Sequence, residues 1–260
     1  MKVIETHAHI YSRKFDQDRK SVIERSIEKG VMKIFMPNID LDSIAPMLQL
    51  EEEYPSLCYP MIGLHPCDVD LDFEKKLYEM EAWLNKHQFY GIGETGTDLY
   101  WDKTYFEQQK ESLKTHIQWA KEKKLPLILH CRESLGPTIE LLQGYVDKEL
   151  TGIFHCFSGT LEQASAIIEM GFFLGIGGTV TYKNSGVGAV LENIGLENLV
   201  LETDSPYLAP VPFRGKRNSP EFLPLIAEKI AAFTGNSAEE VAEITNQNAM
   251  KIFKQPLHEL

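Results

Sequence analysis

Short apolar, β-branched runs recur along the chain: VIETHAHI (3–10), VMKIFMPNI (31–39), LCYPMIGLHP (57–66), FYGIGET (89–95), LPLILHCR (125–132), TGIFHCFSG (151–159), GFFLGIGG (171–178) and NLVLETDSP (198–206). Their length and residue types predict β-strands. Amphipathic stretches lie between them. SLKTHIQWAKEKK (112–124) and LEQASAIIEMG (161–171) are the clearest helices, the second closing on Gly171 as its C-cap. Pro220 marks the start of another, and Ser237 with Glu240 forms a capping-box pattern for a last one over 237–253. Strands spaced by roughly 22–36 residues, near the ~30 of a βαβ unit, predict an α/β fold of the TIM type, a (β/α)8 barrel with an extra C-terminal helix. The alternative is an open doubly wound sheet. That fold places a glycine-rich phosphate loop after its first strand, where this chain carries two histidines.

A length of 260 residues suits one such barrel, which needs about 250, so residues 1–260 are expected to form a single domain. Lys and Arg number 26 against 38 Asp and Glu, a formal charge of −12. That balance excludes a protein that coats long duplex nucleic acid, which needs a positive face. It leaves room for a substrate gripped locally. The four cysteines form no C-x-x-C pair, the N-terminal run reads as a strand so that no signal peptide is expected, and there is no run of 18 apolar residues. These features predict a cytoplasmic monomer with no membrane association.

Barrel enzymes carry their chemistry at the C-terminal ends of the strands. Here those ends hold His7, His9, His65, Glu94, His130, His155 and Asp204. The remaining histidines, His87, His116 and His258, fall in helical or terminal segments. Period-2 alternation turns His7 and His9 into one space. Alone, H-x-H is most often a pair of core or surface histidines. Joined by Glu94, His130, His155 and Asp204, it makes six imidazoles and carboxylates that repel or stay unpaired without a cation. Six ligands exceed a mononuclear site, so two divalent metal ions (Mg, Mn or Zn, with Zn or Mn fitting histidine better) are expected, with Glu94 able to bridge them. Cys131 and Cys156 each follow a ligand histidine, so alternation turns them away from the metals as packing thiols. Glu202 stands two before Asp204 and faces inward. It is either a contact at the substrate side of the site, a hydrogen-bond support for a ligand, or a buried brace.

The segments ETHAHI (5–10), GLHPCDV (63–69), GIGETGTDLYWDK (91–103), PLILHCRES (126–134), HCFSG (155–159), GFFLGIGGTVTYKNS (171–185) and ETDSPYLAPVPFRGKRNSP (202–220) resemble, in order and over nearly the whole chain, the TatD family of metal-dependent hydrolases within the amidohydrolase superfamily. The resemblance implies a distorted barrel, a one- or two-metal centre and phosphodiester hydrolysis, in a family described as Mg-dependent deoxyribonucleases often acting from the 3′ end. It also implies roles. His7, His9 and Asp204 hold one metal, His130 and His155 the second, and Glu94 bridges. Asp204 takes the proton of the attacking water, and His65 contacts substrate. Two positions depart from the family pattern: Glu5 and Tyr11 stand where aspartate is usual.

On the substrate side, FRGKRN supplies Arg214, Lys216 and Arg217 just beyond Asp204, and Arg132 follows His130. Arginine grips phosphate bidentately, although charge runs are more often solvated faces. Tyr100, Trp101 and Tyr105 either stack on bases or roof the barrel. Lys183 and Asn184 read as solvated loop, and GIGG (175–178) as room for close approach at the rim. The expected activity is that of a 3′-5′ exonuclease-like deoxyribonuclease, with nucleic-acid ends or a small phosphodiester as partner. The alternative is an esterase, lactonase or D-aminoacyl-tRNA deacylase on the same centre. A scaffold with a purely structural metal is disfavoured, because such a site saturates its ion with four tight ligands.

Overall fold

Eight parallel strands appear in the computed structural model, which describes residues 1–254; His258 lies outside the described residues. Strands β1 (Val3–Glu5), β2 (Val31–Pro37) and β3 (Cys58–Met61) pair in sequence order. So do β4 (Ile92–Asp98), β5 (Leu127–Arg132), β6 (Gly152–Phe154), β7 (Phe173–Ile176) and β8 (Leu199–Leu201). Two parallel bridges, Ile62 to Ile92 and Ala8 to Ser205, join these sheets at both seams. The ring is the TIM-type barrel that the pattern predicted.

Helices pack outside: α1 (Arg19–Glu28), α2 (Leu41–Glu53), α3 (Phe73–Leu84), α4 (Phe106–Lys123), α5 (Leu135–Gln143), α6 (Leu161–Glu169), α7 (Val187–Leu191) and α8 (Leu223–Thr234). Helix α4 begins six residues before the expected 112. Its buried stripe of Gln109, Leu113, His116, Ile117 and Ala120 keeps the 3–4 spacing that faces a core. Helix α6 ends where expected, with Gly171 in the left-handed region at φ +81°. The expected capping box opens the last helix, α9 (Ala238–Ile252), with Ser237 accepting from the Glu240 amide.

Alternation along the strands sorts the core into two clusters. Val3, Ile34, Leu127, Leu129, Leu174, Leu199 and Leu201 face the helices. Ile4, Phe35, Met61, Ile128, Ile153, Phe173 and Val200 form the second cluster, inside the ring. Helix α9 closes that interior with Ala249, Met250 and Ile252. It is also latched by amides: Asn246 accepts from the Ile4 N–H and donates to the Lys2 carbonyl, and Asn248 donates to the carbonyls of Leu196 and Leu199. The base of the barrel is thus solid, and the other end is left for chemistry.

Candidate metal centre

Two residues beyond that apolar layer, period 2 returns strands β5 to β8 to the interior, whereas β1 shifts register before His7 and β4 across Glu94. Ile128 is followed by His130, Ile153 by His155, Val200 by Glu202 and Phe173 by Gly175. The strand ladders stop short of the expected runs, at Glu5, Phe154 and Leu201, so several of these groups ride on irregular backbone. Even so, residues 6–9 stay bonded to both neighbours through Thr6 N–H to Leu201 O, Ala8 N–H to Phe35 O and His9 N–H to Ser205 O. His7 and His9 therefore keep their common side. Asp204 has φ +55° and is fixed by its N–H to the His7 carbonyl. Such backbone is uncommon for a non-glycine residue and costs energy that the surrounding bonds must cover.

Glu94 is the hub. Its Oε2 lies 3.2 Å from His7 Nε2 and 3.4 Å from His9 Nε2. Its Oε1 lies 2.9 Å from both His130 Nδ1 and His155 Nε2, and 3.4 Å from His65 Nε2. Asp204 Oδ1 completes the first group, 3.5 Å from His9 Nε2 and 3.8 Å from His7 Nε2. One carboxylate thus turns each oxygen to a different set of imidazoles. Burial alone would raise the Glu94 carboxyl, but His155, His65 and His7 outweigh it and hold its pKa well below the usual range. The His7 pKa is lowered by its burial and by His155, whose ring stacks on it at 3.9 Å.

The chemistry of this donor set fits cations. His7 Nδ1 and His7 Nε2 are buried without hydrogen-bond partners, although His7 Nε2 lies near Glu94. Unpaired buried nitrogens are costly unless something binds them. The groups His7–His9–Glu94, His7–His155–Asp204 and His65–Glu94–His130 each bring their ligand atoms close enough to hold a metal ion.

Behind these groups stands a supporting layer. Tyr11 lies 3.0 Å from His9 Nδ1 through its hydroxyl and donates to the Pro37 carbonyl at 2.6 Å, which leaves His9 Nε2 to face the centre. Glu5 serves the backbone beside the candidate ligands. Its Oε1 accepts from the amides of His7 and Thr203, tying β1 to β8, and burial pushes its carboxyl up to about 8. The longer Glu5 side chain is therefore a backbone fastener at this position.

Glu202, expected at the substrate side, is fully buried and out of a substrate's reach. Its Oε1 accepts from the Cys156 amide at 2.7 Å and lies 3.4 Å from His155 Nδ1. Gly175 makes room for it, since a Cβ there would fall 2.2 Å from Glu202 Oε2. Cys131 packs against the barrel–helix cluster as alternation predicted. Cys156 is only partly buried and leaves strand geometry at φ +48°.

Asp98 escaped the sequence reading. Strand β4 runs three residues past the expected end at Thr95, so Asp98 falls on the same side as Glu94. Its Oδ2 lies 2.8 Å from His130 Nε2, and its Oδ1 accepts from the amides of Tyr100 and Trp101. Burial would raise this carboxyl; the contact with His130 and the two amides outweigh it and hold it down to about 2. Continued period 2 from Glu94 is the signal that finds it.

The basic groups divide. Arg217 is taken up by a bidentate pair with Asp18, at 2.8 and 2.6 Å, and by the Lys14 carbonyl, so it braces the fold and is withdrawn from phosphate binding. Arg132 lies over the Tyr100 ring at 3.7 Å, and Arg214 over Tyr182 at 4.6 Å. Both are exposed, as are Lys183 and Asn184. Lys14, unremarked in the sequence reading, lies 4.2 Å over Tyr207.

Comparison with known proteins gives the family and supports the fold. The family described as TatD related DNase matches residues 4–254. The uncharacterized metal-dependent hydrolase YabD of Bacillus subtilis is 37% identical over 97% of this chain and 99% of its own. The 3′-5′ ssDNA/RNA exonuclease TatD of Edwardsiella piscicida is 30% identical over 92% of this chain and 95% of its own. The crystal structure of YjjV, a TatD homolog from Escherichia coli, superposes with a TM-score of 0.91 at 30% identity, covering 98% of both chains. The chain belongs to the TatD family of metal-dependent hydrolases.

Proposed function

We propose that this hydrolase is a phosphodiesterase that removes nucleotides from the 3′ ends of single-stranded DNA. The observation that carries the two-ion centre is Glu94, whose two oxygens face separate clusters of imidazoles. His7, His9 and Asp204 would hold one divalent ion and His130 and His155 the other, with Glu94 between them and His65 beside the second. When bound, such ions lower the pKa of water and polarise a phosphoryl oxygen. Exonuclease relatives at about 30% identity support the choice of substrate.

The chain's own groups do the rest. Asp204 is the more open of the two carboxylates at the centre, with 13% of its side chain exposed against 3% for Glu94. Oδ1 faces His7 and His9, and its second oxygen takes the proton of the attacking water and passes it to the leaving oxygen. Glu202 and Asp98 fix His155 and His130 from behind, so that both rings are set before substrate arrives. Arg132 and Arg214 hold phosphates of the strand as it enters.

The test is a panel on metal-stripped protein. Mg, Mn and Zn are restored separately, and 3′-labelled single-stranded DNA, RNA, a small phosphodiester and an ester are offered. Progressive shortening of DNA that disappears in Asp204→Asn is expected. Ester turnover with inert DNA overturns the proposal in favour of an acyl hydrolase.

A further inference from the structure

We propose that Trp101, with Tyr100 and Arg132, forms a subsite that takes one unpaired nucleobase of the substrate strand. This rests on the phosphodiesterase reading and assigns a residue that selects the substrate.

Trp101 is 67% exposed and Tyr100 is 47% exposed. Singly exposed apolar residues are ordinary, but these two rings are neighbours in contact, and contiguous exposed patches mark binding sites. Their neighbour Tyr105 behaves differently: it packs against the hydrophobic core. The two exposed rings meet edge to face at 4.9 Å, and the Arg132 guanidinium lies over both, at 3.7 Å from the Tyr100 centroid and 5.2 Å from that of Trp101. Rings stiffened by a flat cation are built for stacking against another flat group.

The platform is joined to the metal centre through one side chain. Asp98 Oδ1 accepts from the Tyr100 and Trp101 amides while its Oδ2 meets His130. The Leu99 amide also donates to the Arg132 carbonyl, clamping the loop to β5. A base held here sits at a fixed offset from a phosphodiester at the metals.

A cleft of about 250 Å³ lies beside Trp101, against the turn that follows His65. It is smaller than the roughly 300–1,000 Å³ of sites for drug-sized ligands, and so suits one ring system. Asp68, Asp70, Asp102 and Lys76 line it, with Lys76 paired to Asp70 at 2.7 Å. The net charge of this lining is negative, which disfavours phosphate and tolerates a neutral base, whose ring and exocyclic amines Asp68 and Asp102 can receive. Phosphate is left to the metals and arginines, and the base to the cleft. A base inside a duplex has both faces covered, so the subsite favours an unpaired end.

The test uses Asp204→Asn protein loaded with Mn, which holds a strand without cutting it. Binding of a fluorescent oligothymidylate is compared with that of the same strand whose last two 3′ residues are abasic. The abasic strand is expected to bind about 5- to 150-fold more weakly, the range for one stacked base. Adding Trp101→Ala should make the two strands equal, and Trp101→Phe should restore the preference. Equal binding of both strands by Asp204→Asn protein, or a preference unchanged by Trp101→Ala, overturns the subsite. Base-dependent binding by a protein whose unmutated form cuts no DNA would sink the phosphodiesterase reading and leave the subsite standing. Cleavage of DNA without base preference would do the reverse.

Discussion

At the scale of single residues, the centre depends on pairs in which a buried group sets a ligand. Asp98 and His130 are the clearest, at 2.8 Å. Asp98→Asn keeps an oxygen for the Tyr100 and Trp101 amides but removes the charge that orients the ring. The expected cost is about 10- to 100-fold in metal affinity, as for other partners behind a ligand, measured by metal titration. Unchanged affinity would show that His130 needs no partner. Asp204→Asn should lower turnover by at least about 100-fold, the low end for a lost general base, with an unaltered circular dichroism spectrum. Full activity in that variant would remove Asp204 from proton transfer. The candidate ligands were legible because H-x-H and polar groups recur at the ends of the apolar runs. Asp98 stands at period 2 from Glu94, but the expected strand ends at Thr95. The positive φ of Asp204 and the pairing of Arg217 with Asp18, 199 residues away, leave no local mark in the sequence.

At the scale of elements, the eight strands and the last helix were legible from apolar runs and a capping box. Their ends were not. His155 and Asp204 lie beyond the ends of their ladders, so runs such as 151–159 contain only three residues of strand. Helix α9 has a role that periodicity alone does not reveal. Its Asn246 satisfies both the amide of Ile4 and the carbonyl of Lys2, and its apolar side chains plug the barrel base. Asn246→Ala strands those groups. It should cost about 1–3 kcal/mol of stability, the usual penalty for an unsatisfied buried group, read by denaturant unfolding. A change below about 0.5 kcal/mol, the level of an ordinary surface substitution, would mean the latch is idle.

For the whole molecule, a charge of −12 coexists with a mouth where Lys14, Arg132 and Arg214 lie over aromatic rings. The acidic body limits strand contact to this mouth, so few phosphates are neutralised. Single-strand binding should then weaken with salt at a slope near −0.7 per phosphate held, giving about −2 for three contacts. Arg214→Ala should reduce that slope by roughly 0.7. A steep slope, near that of a protein making six or more contacts, would mean that the strand runs over a wider surface.

The central claim is the bridged two-ion centre, and calorimetric titration of metal-stripped protein with Mn tests it directly. Two ions per chain are expected, as a shared carboxylate implies, and Glu94→Ala should impair binding of both while the fold persists. A single ion per chain, bound equally well by Glu94→Ala protein, would contradict it.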